Sequence, residues 1–316
     1  MSITPAYPLD ADNSRLQPQT PAYLGQSISH TNLILEGGAM RGQFTSGVLD
    51  FFMEHGLWAE HVIGVSAGAL NGYHYVAGDI GRSGYLNVKY CDDWRYLSLR
   101  SFALTGNAFG AEFVFDEVPN ELEPFNFDAF RSSPIKLTTV ASNLETGEPH
   151  YFTFGDPKAD IDYLRASAAM PLVSKIVEVG GKKLLDGGPC DSVPLLYSII
   201  TGAEKHIVVL TQDASYVKPP NKLMTLARQL YPEYPHFCER IQYRHFEYNR
   251  TYRLLPKLHE QGSIFVIRPP EPITISNMEK DALKLLDLYE MGYTEAAHSF
   301  NQLIHYLESP AVRPAL

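Results

Sequence analysis

The sequence predicts an α/β fold: a mainly parallel central sheet between helices, followed by a mostly helical C-terminal extension. Three observations carry this. The N-terminal part alternates short apolar runs with amphipathic stretches in the order β-loop-α-β-turn-α, which implies a parallel sheet with right-handed crossovers. The later run "HIVVL", at 206–210, is near-continuously apolar, as suits a strand buried on both faces. The chain has 316 residues, 45% hydrophobic and 20% charged, enough for a large core that needs neither disulfide nor metal.

The first 29 residues are polar and Pro-rich with no apolar h-region, so they read as an arm and not as a secretory signal. Leu33-Ile34-Leu35, bounded by polar residues and glycines, suits a buried strand. Phe44, Val48, Phe51 and Phe52 recur at i, i+4, i+7 and i+8, one face of a helix that Gly56 stops. "HVIGV" is the next strand, and Ala67 to Ala77 the next helix, ended by Gly78. Residues 79 to 135 are aromatic-rich with scattered glycines, and are expected to form helices and loops over the site.

"IKLTTVASNLETGEPHYFTF" reads as two strands around an Asn143–Glu148 turn. "DIDYLRASAAM" is a short helix with Asp160 as N-cap. "KIVEVGGKKLLDGG" is a hairpin with Gly180-Gly181 at its tip. "SVPLLYSIITG" is a helix stopped by Gly202. Residues 219 to 260 are rich in Pro, Tyr, Phe and Arg and read as helical in pieces; "SIFVIRPP" returns to strand, and one or two final helices follow. The expected organisation is an arm at 1–29, a core at 30–211 and an extension at 212–316 that completes the sheet.

The net charge of −10 argues against nucleic acid as a partner. Cys91, Cys190 and Cys238 form no CxxC pair, which points to a reducing compartment without a zinc site. No apolar run is long enough to span a bilayer. The expected location is cytoplasmic, at most peripheral to a membrane, and no cofactor or metal is called for.

Gly64-Val65-Ser66-Ala67-Gly68 has the nucleophile-elbow pattern. A turn this tight leaves no room for side chains two residues either side of the serine, and glycines remove the clash. The hydroxyl then stands at a helix N-terminus, where the dipole favours negative charge. Glu36-Gly37-Gly38-Ala39-Met40-Arg41-Gly42 also sits at a strand-to-helix junction and offers outward N–H groups. It fits neither a dinucleotide fingerprint, since Ala39 takes the middle glycine, nor a P-loop, since Gln43 follows Gly42. An oxyanion hole serving Ser66 and a plain helix-capping turn are the readings left open.

A serine needs a base. The histidines after it, His74, His150, His206, His236, His245, His259, His298 and His305, sit in no context that suggests a catalytic loop. Asp186 ends the strand-like "KKLL" and precedes Gly187-Gly188, which lets it point into a cleft or simply makes a turn.

In this order, the Glu36–Gly42 loop, the Gly64–Gly68 elbow and Asp186-Gly187-Gly188 resemble the patatin-like phospholipases. "ASNLETGEPHYF", "RASAAMP" and "DGGPCDSVP" look like recurring elements of bacterial members. The resemblance covers roughly residues 31 to 211. It implies a three-layer α/β/α fold and a lipid acyl hydrolase of phospholipase A or esterase type, with a Ser66–Asp186 dyad and an acyl-serine intermediate. The backbone N–H groups of Gly37, Gly38 and Ala39 would hold the oxyanion, supported by Arg41, Gly64, Gly68, Gly187 and Gly188. Two departures stand out: the family loop usually opens Asp-Gly-Gly-Gly, and here Glu36 and Ala39 replace the first and last of these. A glycine-only conformation at Ala39 would compromise the hole.

A lipid ester must be met at an interface. Residues 228 to 257 interleave Arg228, Arg240, Arg244, Arg250, Arg253 and Lys257 with aromatics, a candidate docking surface for anionic headgroups. A packed helical pair with a charged outer face accounts for the same pattern. Against the lipid hydrolase stand a non-lipid esterase or thioesterase with a Ser-Asp-His triad, and a catalytically silent lipid- or protein-binding module.

Overall fold

In the computed structural model, which describes residues 28–314, the chain opens with β1 (Ile28–Leu35), α1 (Gly42–Glu54), β2 (Ala59–Val65) and α2 (Ala67–Ala77). Residues 1–27, most of the expected arm, lie outside the described residues, and its last two residues belong to β1. Gly56 and Gly78 stop the two helices with φ of 69° and 71°, a conformation that suits glycine after a helix end. β1 and β2 pair in parallel with Leu35 opposite Gly64, so the two loops that follow them emerge side by side.

The covering segment between residues 79 and 135 holds α3 (Arg82–Tyr90), α4 (Leu99–Thr105), a π-helical run (Phe113–Leu122) and α5 (Phe127–Ser132). Then come β3 (Lys136–Asn143), β4 (Pro149–Thr153), α6 (Ile161–Ser167), β5 (Val177–Val179), β6 (Lys182–Asp186), α7 (Leu195–Ile200) and β7 (Lys205–Val209). Asp160 stands at the N-cap position of α6 but does not cap it. Its carboxylate accepts from the N–H groups of Gly155 and Asp156 at 2.8 and 2.9 Å, closing the preceding turn instead. The chain ends with α8 (Met224–Leu230), α9 (Pro235–Glu260), β8 (Phe265–Ile267) and α10 (Ala282–Glu308). The sequence reading of short helical pieces after residue 219 holds for α8, whereas α9 is one 26-residue helix that carries Pro256 in its last turns.

The eight strands form one sheet in the order β5-β6-β3-β2-β1-β7-β8, with β4 beside β3. β3, β2, β1, β7 and β8 are parallel. Period-two alternation divides their side chains between two cores. Leu33, Leu35, Val62, Ile207 and Val209 face α1, α2 and α10. Ile34, Val208 and Leu210 face α7 and α9. The result is three layers, helix–sheet–helix, and the C-terminal helices supply part of both outer layers. Tyr289 and Tyr293 of α10 also donate to Asp50 and Glu54 of α1 at 2.7 and 2.5 Å.

One detail of the sheet positions everything that follows. Residues 138–142 of β3 pair with β4 on one edge. On the other edge β2 covers residues 136–140, and β6 takes over at 141–143, running in the opposite direction. β2 and β6 therefore meet head to head, with Val65 opposite Val140 and Asp186 opposite Ala141.

Candidate active site

Ser66 is the single residue between β2 and α2, and its φ of 54° and ψ of −122° are sterically unfavourable for a side chain. Such a backbone costs on the order of 1–3 kcal/mol and persists only where the surroundings over-determine it. Here they do. The Ser66 N–H donates to Ser167 Oγ at 2.9 Å, and that hydroxyl donates to the Val140 carbonyl at 2.7 Å. The Ser66 carbonyl accepts from the N–H groups of Ala69 and Leu70. The flanking glycines allow the close approach: a Cβ on Gly64 would lie 2.6 Å from Ala69 Cα, and one on Gly68 would lie 2.3 Å from the Leu35 carbonyl oxygen.

The Glu36–Gly42 loop leaves β1 beside this elbow, close enough that a Cβ on Gly37 would lie 3.0 Å from Ser66 Cβ. Among the described residues, the N–H groups of Gly37, Gly38 and Ala39 have no acceptor, whereas those of Met40 and Arg41 bond the carbonyls of Asn277 and Gly38. Ala39 takes a φ of 49°. That is the left-handed region, which an alanine reaches at a cost of about 1 kcal/mol and is not confined to glycine. The Ala39 departure from the family pattern is thus accommodated by modest strain. The Arg41 guanidinium bonds the Asn277 side chain through Nη1, and its Nε is buried with no acceptor.

Glu36 does not face the serine. It continues the alternation of β1 on the side of Ile34, toward α9. There its carboxylate accepts from the Thr211 N–H at 2.7 Å, Tyr248 Oη at 2.5 Å and Tyr252 Oη at 2.6 Å. A glutamate at the head of this loop therefore bolts it to α9.

Asp186 closes β6 beside Ser66: the two line one cavity, and the serine hydroxyl helps to stabilise the charged carboxylate. Asp186 Oδ1 accepts from the Gly188 N–H at 2.8 Å, and its backbone is held by Ser142 Oγ at 2.7 Å and the Ala169 carbonyl at 2.8 Å. Burial pushes the carboxyl above its ordinary value. The Ser66 and Gly188 hydrogen bonds, with Arg244 and Lys218, pull against that rise without cancelling it.

Ser66 lines two cavities. One, of about 380 Å³, is walled by Leu70, Tyr73, Leu86, Val114 and Phe115 of the helices and the π-helical run, among others. The other, of about 250 Å³, also contains Asp186, Gly37, Gly38, Arg41, Lys218 and Arg244. No histidine lines this second cavity. His74 lines the first but lies eight residues along α2 from Ser66, roughly 12 Å at a helical rise. His150 is on β4 and His206 on β7, where it bonds Ser198 Oγ at 2.8 Å.

The residues proposed from the sequence thus converge at one place: Ser66, Asp186, Gly37, Gly38, Ala39 and Arg41, framed by Gly64, Gly68, Gly187 and Gly188. What the sequence reading passed over are the braces. Ser142, Ser167 and Ser192 hold Asp186, Ser66 and Arg244 respectively. Each lies in one of the three stretches noted above as recurring, which was the available signal. Arg244 was noted only as one basic residue in a run. Of that run's aromatics, Tyr231, Tyr234, Phe237, Tyr248 and Tyr252 are buried in the protein, which leaves Tyr243 and Phe246 exposed.

Residues 33–199 match the model of the patatin-like phospholipases, and residues 234–308 match a domain of unknown function. Relatives include the uncharacterized protein YjjU of Escherichia coli, 24% identical over 82% of this chain and 74% of that protein. An uncharacterized NTE family protein of Mycobacterium tuberculosis is 30% identical over 54% of this chain and 46% of its own length. The lysophospholipase NTE1 of Eremothecium gossypii is 27% identical over 54% of this chain and 11% of its own length, so the chain spans only a small part of that protein. Among solved structures, VipD from Legionella pneumophila aligns with a TM-score of 0.45 at 13% identity, over 86% of this chain and 67% of that one.

Proposed function

This chain belongs to the patatin-like phospholipase family, and on that premise we propose that it is a lipid acyl hydrolase using a Ser66–Asp186 dyad. The observation that carries the reading is the head-to-head meeting of β2 and β6, which sets a strained serine beside a buried carboxylate. Ser66 Oγ attacks the ester carbonyl while Asp186 takes its proton. The negative charge that develops on the carbonyl oxygen is met by the free N–H groups of Gly37, Gly38 and Ala39, at the N-terminal end of α2 where the dipole adds to the field. The tetrahedral intermediate collapses, Asp186 returns the proton to the departing alkoxide, and an acyl-serine remains. A water then gives its proton to Asp186 and its oxygen to the acyl carbon. Ser66 leaves as the alcohol and the carboxylic acid is released.

The raised carboxyl of Asp186 suits it to the task, because a stronger base takes a hydroxyl proton more readily. The larger, apolar cavity is the place for the acyl chain. Its volume lies within the usual range for ligand pockets, about 300–1,000 Å³. Among the described residues no helix is long and apolar enough to cross a membrane. The lipid surface is met instead by a patch on α8 and α9, narrower than residues 228–257 as a whole. Leu223, Leu226, Leu230, Tyr243 and Phe246 are exposed there, beside Arg228 and next to Asn221 at the rim of the polar cavity. Sedimentation with phosphatidylglycerol vesicles, lost in Leu226→Asp and Phe246→Asp, checks this part.

The chemistry is tested by fluorophosphonate labelling followed by intact-mass analysis. One adduct on the wild type, absent in Ser66→Ala and slowed in Asp186→Asn, is the expected result. An adduct that persists in folded Ser66→Ala sinks the assignment.

A further inference from the structure

The cavity that Ser66 shares with Asp186 carries an imbalance of charge that ester hydrolysis does not require. Three cations line it: Arg41 from the β1 loop, Lys218 from the segment before α8, and Arg244 from α9. Its two carboxylates are Glu36 and Asp186. Glu36 is already occupied by the Thr211 N–H and two tyrosine hydroxyls, and Asp186 by Gly188 and Ser66. None of the three cations is in an ion pair among the described residues; their contacts are to neutral groups. Arg244 reaches Ser192 Oγ through Nε and Nη2 at 3.2 Å. Lys218 Nζ lies 4.7 Å from the centre of the Tyr248 ring. Arg41 holds the Asn277 side chain and keeps a buried Nε without an acceptor.

This arrangement works against the base beside it. Arg244 and Lys218 each pull the Asp186 carboxyl down. The cations also oppose one another: burial, then Arg244 and Arg41, push the Lys218 ammonium down to about 7 against the pull of Glu36 and Asp186. Unpaired guanidinium and ammonium groups at the edge of a reaction site call for an anion, and guanidinium forks fit phosphate oxygens in particular.

We propose that Lys218 and Arg244, with Arg41, bind the phosphate of an anionic glycerophospholipid head, so that the enzyme selects acyl esters whose head carries uncompensated negative charge. This rests on the hydrolase reading above and adds the substrate class. The geometry gives each end of such a lipid its own place: the acyl chain in the apolar cavity, the ester at Ser66 and the phosphate in the polar cavity. Two of the three cations come from the region after residue 211, outside the segment that matches the family, so that region supplies a specificity element for the site.

The experiment compares three substrates with one acyl chain: lysophosphatidic acid, lysophosphatidylcholine and monoacylglycerol. Wild type is expected to favour the first by about tenfold or more in kcat/KM, as for loss of a charged hydrogen bond. Arg244→Gln and Lys218→Met are expected to shrink that ratio at least about fivefold, chiefly through KM. The ratio cancels any change in the strength of Asp186, because all three esters use the same base. Equal rates on the three heads in wild type, or a ratio untouched by both variants, overturn the proposal. Inorganic phosphate inhibiting p-nitrophenyl butyrate hydrolysis without discrimination among the lipids also overturns it, in favour of a site for a free anion. Calorimetric titration with glycerol 3-phosphate reads the cluster independently of turnover: binding lost in the double variant supports it, and no binding to wild type counts against it. No ester turnover with phosphate binding intact would instead fault the hydrolase reading alone.

Discussion

Gly68→Ala isolates the mechanical demand of the elbow. The added methyl would lie 2.3 Å from the Leu35 carbonyl oxygen and 2.7 Å from that of Glu36, whereas ordinary contact begins near 3.4 Å. Both obstacles are backbone in the β1 strand and its exit, so neither can rotate away. The start of α2 has to retreat by about 1 Å, and Ser66, two residues upstream, moves with it relative to Gly37 and Gly38. Overpacking of this kind costs about 1–3 kcal/mol of stability. A 1 Å misplacement of reacting groups costs on the order of 10²-fold in rate. The assay is kcat/KM on p-nitrophenyl butyrate together with the second-order rate of fluorophosphonate labelling, with urea unfolding run in parallel. The control is Gly202→Ala, where φ is 85° and nothing lies within 4 Å. It should lose about 1 kcal/mol of stability from backbone strain alone and keep its rate. A Gly68→Ala protein that folds normally and hydrolyses ester at the wild-type rate would refute the reasoning, because the chemistry would then not depend on the spacing of elbow and loop.

Three further outcomes are expected. The rate should fall on acidification as Asp186 is protonated, and because its carboxyl is raised, the midpoint of kcat/KM against pH should lie above 3.8, the ordinary aspartate value. Asp50, buried and raised from 3.8 to about 7, favours its neutral form in the folded state. Its stabilising contribution is therefore full below pH 3.8 and lost as pH rises through about 7, a difference of roughly 4 kcal/mol at most. Asp50→Asn, whose Oδ1 still accepts from the Gly81 N–H and whose amide can donate to the Tyr289 hydroxyl in a reversed bond, should flatten the pH dependence of urea unfolding over that window. Glu36→Ala leaves the Thr211 N–H and two tyrosine hydroxyls without their acceptor and should cost about 3 kcal/mol or more. Glu36→Gln should cost less, since the tyrosine hydroxyls can turn to accept from its amide, and differential scanning calorimetry separates the two.

Where the chain obeys a simple period, its structure was legible. The stripe Phe44, Val48, Phe51 and Phe52 located α1, and the strand–serine–helix junction located the end of β2, Ser66 and both ends of α2, while β2 starts two residues before the expected His61. Gly180-Gly181 marked the tip of the β5–β6 hairpin, and both take positive φ. The segment from 79 to 135 was opaque for a physical reason: many of its apolar side chains line a cavity while others join the core, so they form no single stripe. A π-helical run such as Phe113–Leu122 also follows neither the helical nor the strand period. α9 was misjudged because its aromatics serve two masters, with Tyr248 and Tyr252 turned inward and Tyr243 and Phe246 outward. The candidate site was read from three motifs, but its third dimension was not. Nothing local to Lys218 or Arg244 shows that they stand beside Asp186, since only the crossing of α9 over the sheet brings them there.

The abutting of β2 and β6 along one edge of β3 makes that strand a ruler for the spacing of Ser66 and Asp186. Val140 and Ala141 are adjacent divisions, one carrying the elbow and the next the aspartate. A strand advances about 3.3 Å per residue and turns its side chains over at each step. Adding one residue to β6 before Asp186 would therefore not loosen the dyad by degrees; it would flip the carboxylate to the opposite face of the sheet. Length variation is better placed at the hairpin tip, where space around Gly181 is open. On the proposed mechanism the count of residues between Lys182 and Asp186 is part of the site, and an insertion there would turn the carboxylate away from Ser66.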